Sequence, residues 1–469
     1  VRRSRTDAPP PPPWREVFRG RRGRLTAGLL LLEALVAVQS LVLATILPDI
    51  RRDLGMVQLY GLVFSASSLA TIASIPVTGR AVDALGARRV LLPVLALFCA
   101  GLLVAATAPA MPVLLAGQFL IGAGGGGLYA LSLGAVAKAF PDRLRPRVMA
   151  LLATMWILPG LAGPPFAALV ATTVGWRWAF AAPLALVALG WILIAPALDL
   201  VPPPAQERRA ELDLRWPVQL MVGAGTFLLA LTVVEAWAIA IAALGVLVAI
   251  PALRRTVPVG TFRAVRGRPA AGASAFLLSA GFLAMDAFLT LMLTDVRGLT
   301  LGQASLSVTA ASITWASGSL WQSGRAERTS LPRLLRLGTL LVLGGEIAVT
   351  ASLDPDVPLA VAFAGWAVVG LGMGVSFPTI PLSAMRVTDA GEESGQLSSV
   401  LLLDFLGVAI GAGLAGAAVA VSEAAGAPLA DGIAGAFAIG LIALVALLWT
   451  GGRIPDRAPK PPSEPAATP

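Results

Sequence analysis

Long apolar runs, broken by short arginine-bearing links, make up almost the whole chain. A spanning helix needs about 17–25 predominantly apolar residues. Segments of that kind lie at 25–47, 60–78, 90–109, 112–136, 148–172 and 178–198, and a polar, proline-bearing stretch at 202–215 closes this series. Two further segments, 217–234 and 237–253, contain no charge and turn at Glu235. After an arginine-rich connector at 254–269, six more follow at 270–294, 302–323, 333–352, 357–382, 397–421 and 432–450. The pattern predicts an all-α polytopic membrane protein of fourteen transmembrane helices. It divides into six-helix bundles at 25–198 and 270–450, a linker with an extra transmembrane hairpin at 199–269, and disordered tails at 1–24 and 451–469.

Charge sets the orientation. With both termini in the cytoplasm, 31 of the 35 Lys and Arg fall on the cytoplasmic side, and only Arg51, Arg52, Arg177 and Arg297 fall outside. Cytosolic loops collect positive charge, so this split fixes the topology, and the hairpin leaves it unchanged because two spans preserve parity.

Composition removes several functions. Charged residues are 13% of the chain, against about 25% in soluble domains, so lipid is the solvent for most of it. The basic residues are dealt out between apolar segments rather than gathered on one domain, which argues against a nucleic-acid partner. The chain has no histidine and one cysteine, Cys99, so a disulfide and a histidine metal site are excluded and no metal or cofactor is expected. The lysines, Lys138 and Lys460, follow no phosphate-binding glycine loop, which removes an ATP-driven pump. No polar segment is long enough for an enzymatic domain.

Proton chemistry must therefore use carboxylates. Four lie inside predicted spans: Glu33, Asp286, Glu346 and Asp404. A charge at a span centre costs about 2.5–3.5 kcal/mol on insertion scales, which makes such residues functional candidates. Asp286 shares a helical face with Ser279, Thr290 and Thr294, a stripe suited to a water-filled cavity. Asp404 shares a stripe with Gly407 and Gly411, which allows either a coupling acid or a structural hydrogen-bond acceptor. Glu33 lies two turns into the first span, within snorkelling reach of the surface. Glu346, near the outer end of its span, reads as interfacial.

An internal repeat links the halves. Gly122-Ala123-Gly124-Gly125-Gly126-Gly127-Leu128-Tyr129 matches Gly370-Leu371-Gly372-Met373-Gly374-Val375-Ser376-Phe377 at alternating glycines and a final aromatic, offset by 248 residues. Parallel six-helix repeats with a site between them are a transporter architecture.

The link between the second and third spans reads Gly79-Arg80-Ala81-Val82-Asp83-Ala84-Leu85-Gly86-Ala87-Arg88-Arg89. It resembles the helix 2–helix 3 loop motif G-x-x-x-D-x-x-G-x-[RK]-[RK] of the major facilitator superfamily. Ile46-Leu47-Pro48-Asp49-Ile50, Trp176-Arg177-Trp178-Ala179-Phe180 and Asp404-Phe405-Leu406-Gly407 are similar to further stretches of its fourteen-helix drug:proton antiporter branch. Gly160-Leu161-Ala162-Gly163-Pro164-Pro165 resembles the helix 5 antiporter motif, with Pro159, Ala167 and Ala168 where that motif has glycines. The resemblance implies that Gly79, Asp83, Gly86, Arg88 and Arg89 form a cytosolic latch holding an outward-open state. It implies that Gly160, Gly163, Pro164 and Pro165 bend a helix that seals the cavity. Two departures bear on coupling: Gln118 stands where the family has a helix 4 arginine, with Ile121 for its glutamine, and Gln39 stands where it has a helix 1 aspartate.

These readings lead to a secondary active transporter in a bacterial plasma membrane, exporting amphipathic small molecules such as a drug or secondary metabolite. Proton antiport and alternating access are expected, with the protein acting as a monomer. Asp286, Asp404, Glu33, Gln39 and Gln118 are the substrate and proton candidates. A metabolite uptake permease or uniporter, and a lipid exporter, are the alternatives.

Overall fold

The computed structural model describes residues 16–141, 144–155, 157–201, 214–233, 235–385 and 393–456. Among the described residues, each of the fourteen predicted segments contains helix, but not each as one rod. A first set comprises α1 (Gly20–Leu54), α2 (Tyr60–Leu85), α3 (Ala87–Ala106), α4 (Met111–Ala139), α5 (Arg145–Thr154), α6 (Ile157–Thr173), α7 (Arg177–Ala181) and α8 (Pro183–Ile194). Segment 148–172 is thus divided between α5 and α6, and 178–198 between α7, α8 and a 3-10 turn. The hairpin is α9 (Arg215–Ala230) and α10 (Ala236–Thr256). A second set comprises α11 (Arg268–Leu291), α12 (Leu301–Ser323), α13 (Leu331–Ala351), α14 (Leu359–Met385), α15 (Glu393–Ala424) and α16 (Leu429–Thr450).

Among the described residues, eleven helical stretches are long and apolar enough to cross a membrane. The others fall short for local reasons. Helices α6 and α9 have 17 and 16 residues. Helix α12 has 23, but eight are Ser or Thr. Its hydroxyls turn back on the helix, as Ser312 does on the Val308 carbonyl (2.9 Å) and Thr309 on that of Ser305 (3.2 Å), which hides their polarity.

The tails are shorter than the sequence predicts. Val17 is fully buried and its carbonyl accepts from Thr26 Oγ1 at 3.1 Å, so the chain is ordered before α1 begins at Gly20. At the other end the Asp456 carboxylate accepts from the Leu331 backbone N–H at 2.9 Å. Residues 1–15 and 457–469 of the predicted tails, and 202–213 of the linker, lie outside the described residues.

The glycine repeat explains how each set packs. In α4, Gly122 and Gly126 lie against Ser67 and Thr71 of α2, while Gly124 lies against Phe98 of α3. In α14, Gly370 and Gly374 lie against Ala311 and Trp315 of α12, while Gly372 lies against Gly338 of α13. Residues four apart share a helix face and a residue midway between them points the other way. Alternating glycines therefore let a helix be gripped on both sides at backbone distance. A side chain at Gly374 would run into the Trp315 carbonyl. Gly374→Val should destabilise the protein by about 1–3 kcal/mol, the range for overpacking. The check is a lower detergent-solubilised Tm, with Gly344→Val, where nothing lies within 4 Å, as the neutral control.

The two sets meet along α2 with α15 and along α6 with α12. Ser65 Oγ donates to the Ala409 carbonyl at 2.7 Å, and a Cβ on Gly416 would sit 2.9 Å from Gly61 Cα. Helix α9 lies beside this seam, with the fully buried Leu228 reaching within 2.6 Å of where a Gly413 Cβ would be. Helix α11 ends in a π turn, Met292–Val296, that carries the helical path two residues beyond the predicted 294.

Candidate functional site

The carboxylates come together at the boundary between the sets. On α11, Ser279, Phe282 and Asp286 fall at i, i+3 and i+7, one strip of the helix. Ser279 donates to the Asp404 carboxylate on α15, which ties one candidate acid to the strip that bears the other. From the first set, the buried Glu33 and the half-buried Tyr129 face the same region. Glu33 and Asp404 both lie within electrostatic range of the Tyr129 hydroxyl.

Beside them runs an aromatic wall. The Phe282 ring stacks on Trp366 at 5.5 Å and meets Trp315 edge-on at 5.5 Å, and Trp315 meets Phe377 at 5.8 Å. Sequence reading did not single these residues out for function. The repeat held one usable signal, since Phe377 is the counterpart of Tyr129. Lys and Arg occur only toward helix ends, so the helix centres carry acidic charge without basic charge.

The other candidates sit in different places. Gln39 is buried and donates to the Ala179 carbonyl of α7 at 3.4 Å, which turns it toward its own set. Gln118 is buried in α4. Gly160 packs on Ser312 of α12, whereas a Cβ at Gly163 would meet nothing within 4 Å. Pro164 and Pro165 lie within α6. The Glu346 side chain is fully buried in the bundle.

At the end where α1 finishes, the sets are bolted together. Arg51 and Arg52 each reach Asp295, at 2.5 and 2.6 Å, and Arg52 also pairs with Asp49 at 2.9 Å. The Tyr60 and Phe288 rings close the same end at 5.1 Å. The sequence showed these arginines only as topology signals. Arg177 and the Trp176 indole bond Asp53 at 2.6 and 3.0 Å, which fixes the end of α1 to α7.

At the opposite end, Asp83 and Arg88 pair with residues of the first set. Lys138 bonds Asp83 at 2.6 Å, and Asp199 takes both Arg88 (3.1 Å) and Arg21 (2.8 Å). Gly86 joins α2 to α3 at φ +83°, a conformation that favours glycine, while Gly79 packs on nothing within 4 Å. Arg89 follows Arg88 in the exposed first turn of α3.

Two helical sets that share a lengthwise boundary, with acids and aromatics gathered there and bases kept at the ends, define a polytopic membrane transporter. The profile of the Major Facilitator Superfamily matches residues 29–412, and the chain belongs to that superfamily, one of transporters rather than enzymes. It is 26% identical over 422 residues to a probable multidrug-efflux transporter of Mycobacterium tuberculosis, covering 87% of this chain and 89% of that protein. It is 24% identical over 399 residues to the multidrug transporter protein MdtP of Bacillus subtilis, covering 82% and 73%. Among solved structures it resembles a D-xylose–proton symporter (TM-score 0.68, 13% identity, 93% of this chain and 99% of that one). A POT family peptide transporter is similar to it as well (TM-score 0.66, 15% identity, 94% and 99%). At these identities the structures speak for the fold alone.

Proposed function

We propose that the protein exports amphipathic small molecules, with a preference for aromatic cations, by alternating access coupled to proton antiport. The observation that carries this reading is the bond from Ser279 to Asp404, which ties the α15 acid to the α11 strip that bears Phe282 and Asp286. Carboxylates beside the Phe282–Trp315–Phe377 wall offer a cation both charge and ring faces, and each ring contact adds about 0.5–2 kcal/mol. No central Lys or Arg competes for the acids or welcomes an anion. The multidrug-efflux relatives support export as the direction.

In this reading the chain spans the membrane fourteen times, with bundles at 25–198 and 270–450 around the 199–269 linker. Both ends lie in the cytoplasm of a bacterial cell, and the protein works as a monomer. The bolt at Arg51, Arg52 and Asp295 is the outer gate, closed here. The latch residues Asp83 and Arg88 hold partners in their own set, as befits a latch released while the outer gate is shut.

The test uses inside-out vesicles and a fluorescent aromatic cation. An acidic lumen should drive the dye inward against its gradient, an ionophore should abolish this, and an anionic analogue of equal size should move at least about tenfold more slowly, as a pocket charge of the wrong sign dictates. Dye movement that ignores the pH gradient and membrane potential would replace antiport with a uniporter. Equal transport of the anion would remove the cation preference.

A further inference from the structure

Glu346 has no part in the site above. It sits on α13 with 0% exposure, and neither carboxylate oxygen has a hydrogen-bond partner among the described residues. Its side chain fills a point where three helices meet. A Cβ on Gly440 of α16 would lie 3.2 Å from Glu346 Oε2, 2.8 Å from the Gly281 carbonyl and 3.5 Å from Ala284 Cβ on α11. Gly281 and Ala284 lie on the far side of α11 from Asp286, because positions two or five apart are about half a helical turn apart. The carboxyl is therefore on the opposite side of α11 from the strip that bears Ser279, Phe282 and Asp286.

The surroundings offer no countercharge. Helix α14, packed along α13, has no titratable residue. On α16 the ionisable residue is Asp431 in the first turn, and the following turn has Arg453. Helix α11 has Arg268 at its start and Asp286 on its other face, and Asp295 beyond it is taken by Arg51 and Arg52. Within α13 itself, Arg333 and Arg336 stand in the first two turns, at least ten residues from Glu346. An unpaired carboxylate in a closed apolar space is so costly that the group neutralises instead.

We propose that Glu346 is a proton-binding site separate from the transport cavity, and that its bound proton lets α11, α13 and α16 pack together. The glycines at 281 and 440 give the carboxyl room only as a neutral group; ionised, it draws water and parts the seam. Since α11 also bears Phe282, Asp286 and the π turn, the site couples pH to the wall of the cavity. This inference does not depend on the direction or coupling of transport.

The sign is definite. The stability of the packed seam is fully present below the pH at which a free glutamate ionises, and it is lost as pH rises from there until Glu346 itself gives up its proton. Infrared spectra of the purified parent at neutral pH should contain the carbonyl stretch of a protonated, dry carboxyl that E346Q lacks. Between about pH 6 and about pH 9 the parent's Tm should fall more steeply than that of E346Q, which cannot ionise there. E346L, similar in volume and apolar, should match or exceed the parent's Tm at the alkaline end. The proposal fails if E346Q retains the full band, or if the Tm profiles of parent and E346Q run parallel. It also fails if both variants are destabilised equally at every pH, since that would mean the carboxylate has polar partners.

Discussion

Asp404→Asn is expected to abolish concentrative, pH-driven efflux while leaving downhill movement of substrate intact, and Asp286→Asn to do the same if it carries the proton. A proton carrier must change charge during the cycle, and an amide of nearly equal size cannot. With no histidine in the chain and Gln118 in place of a helix 4 arginine, a membrane carboxylate must take that role. Asp404 has the stronger structural case, because its partner Ser279 lies on the same strip as Asp286. The measurement is dye transport into inside-out vesicles with and without an imposed gradient, for parent and both variants. Loss of uphill transport by at least about tenfold, with downhill flux within about twofold, separates lost coupling from lost binding. If both variants still concentrate the dye, coupling passes to Glu33.

Asp295→Asn should unlock the end of the protein at Arg51. The Arg51 pair is partly buried, and a hydrogen bond to a charged group contributes about 1.5–3 kcal/mol. Arg52 is half exposed and adds less. Losing that much from one conformation shifts the ratio of the two by about 10- to 100-fold. A reporter cysteine at Leu62, buried near the start of α2, reads this out in a Cys99→Ser background. An impermeant thiol reagent should label it at least about tenfold faster in the Asp295→Asn variant. An unchanged rate would mean that the ion pairs are surface decoration and that the Tyr60–Phe288 contact closes the end alone.

The helices were legible because lipid demands long uncharged runs, and nothing in the chain imitates one. What failed to read was anything that depends on where a helix turns its face. Residues 148–172 look like one span, yet α5 and α6 divide them. The acids were visible as charges in apolar runs, but their grouping was not. Ser279 lies on the Asp286 stripe, as its spacing predicts, but spacing alone cannot show that it bonds Asp404 across the α11–α15 contact. The burial of Glu346 is equally hidden, because sequence counts distance from a helix end and cannot count the helices packed around it. The bolt was hidden for the same reason: Arg51 and Asp295 are separated by 244 positions.

The π turn of α11 gives that bolt an unusual origin. A π turn is an α-helix carrying one residue more than its hydrogen bonding needs. Asp295 faces the two arginines because of that surplus residue, not only because it is an aspartate. Rewinding 292–296 as an ordinary α-helix with every residue kept would carry the carboxylate farther around the helix, away from both guanidiniums, because each residue would then take its full share of about 100°. The lock between the halves is therefore written as a mode of winding. A relative could lose it through a change of winding with every charged residue still in place.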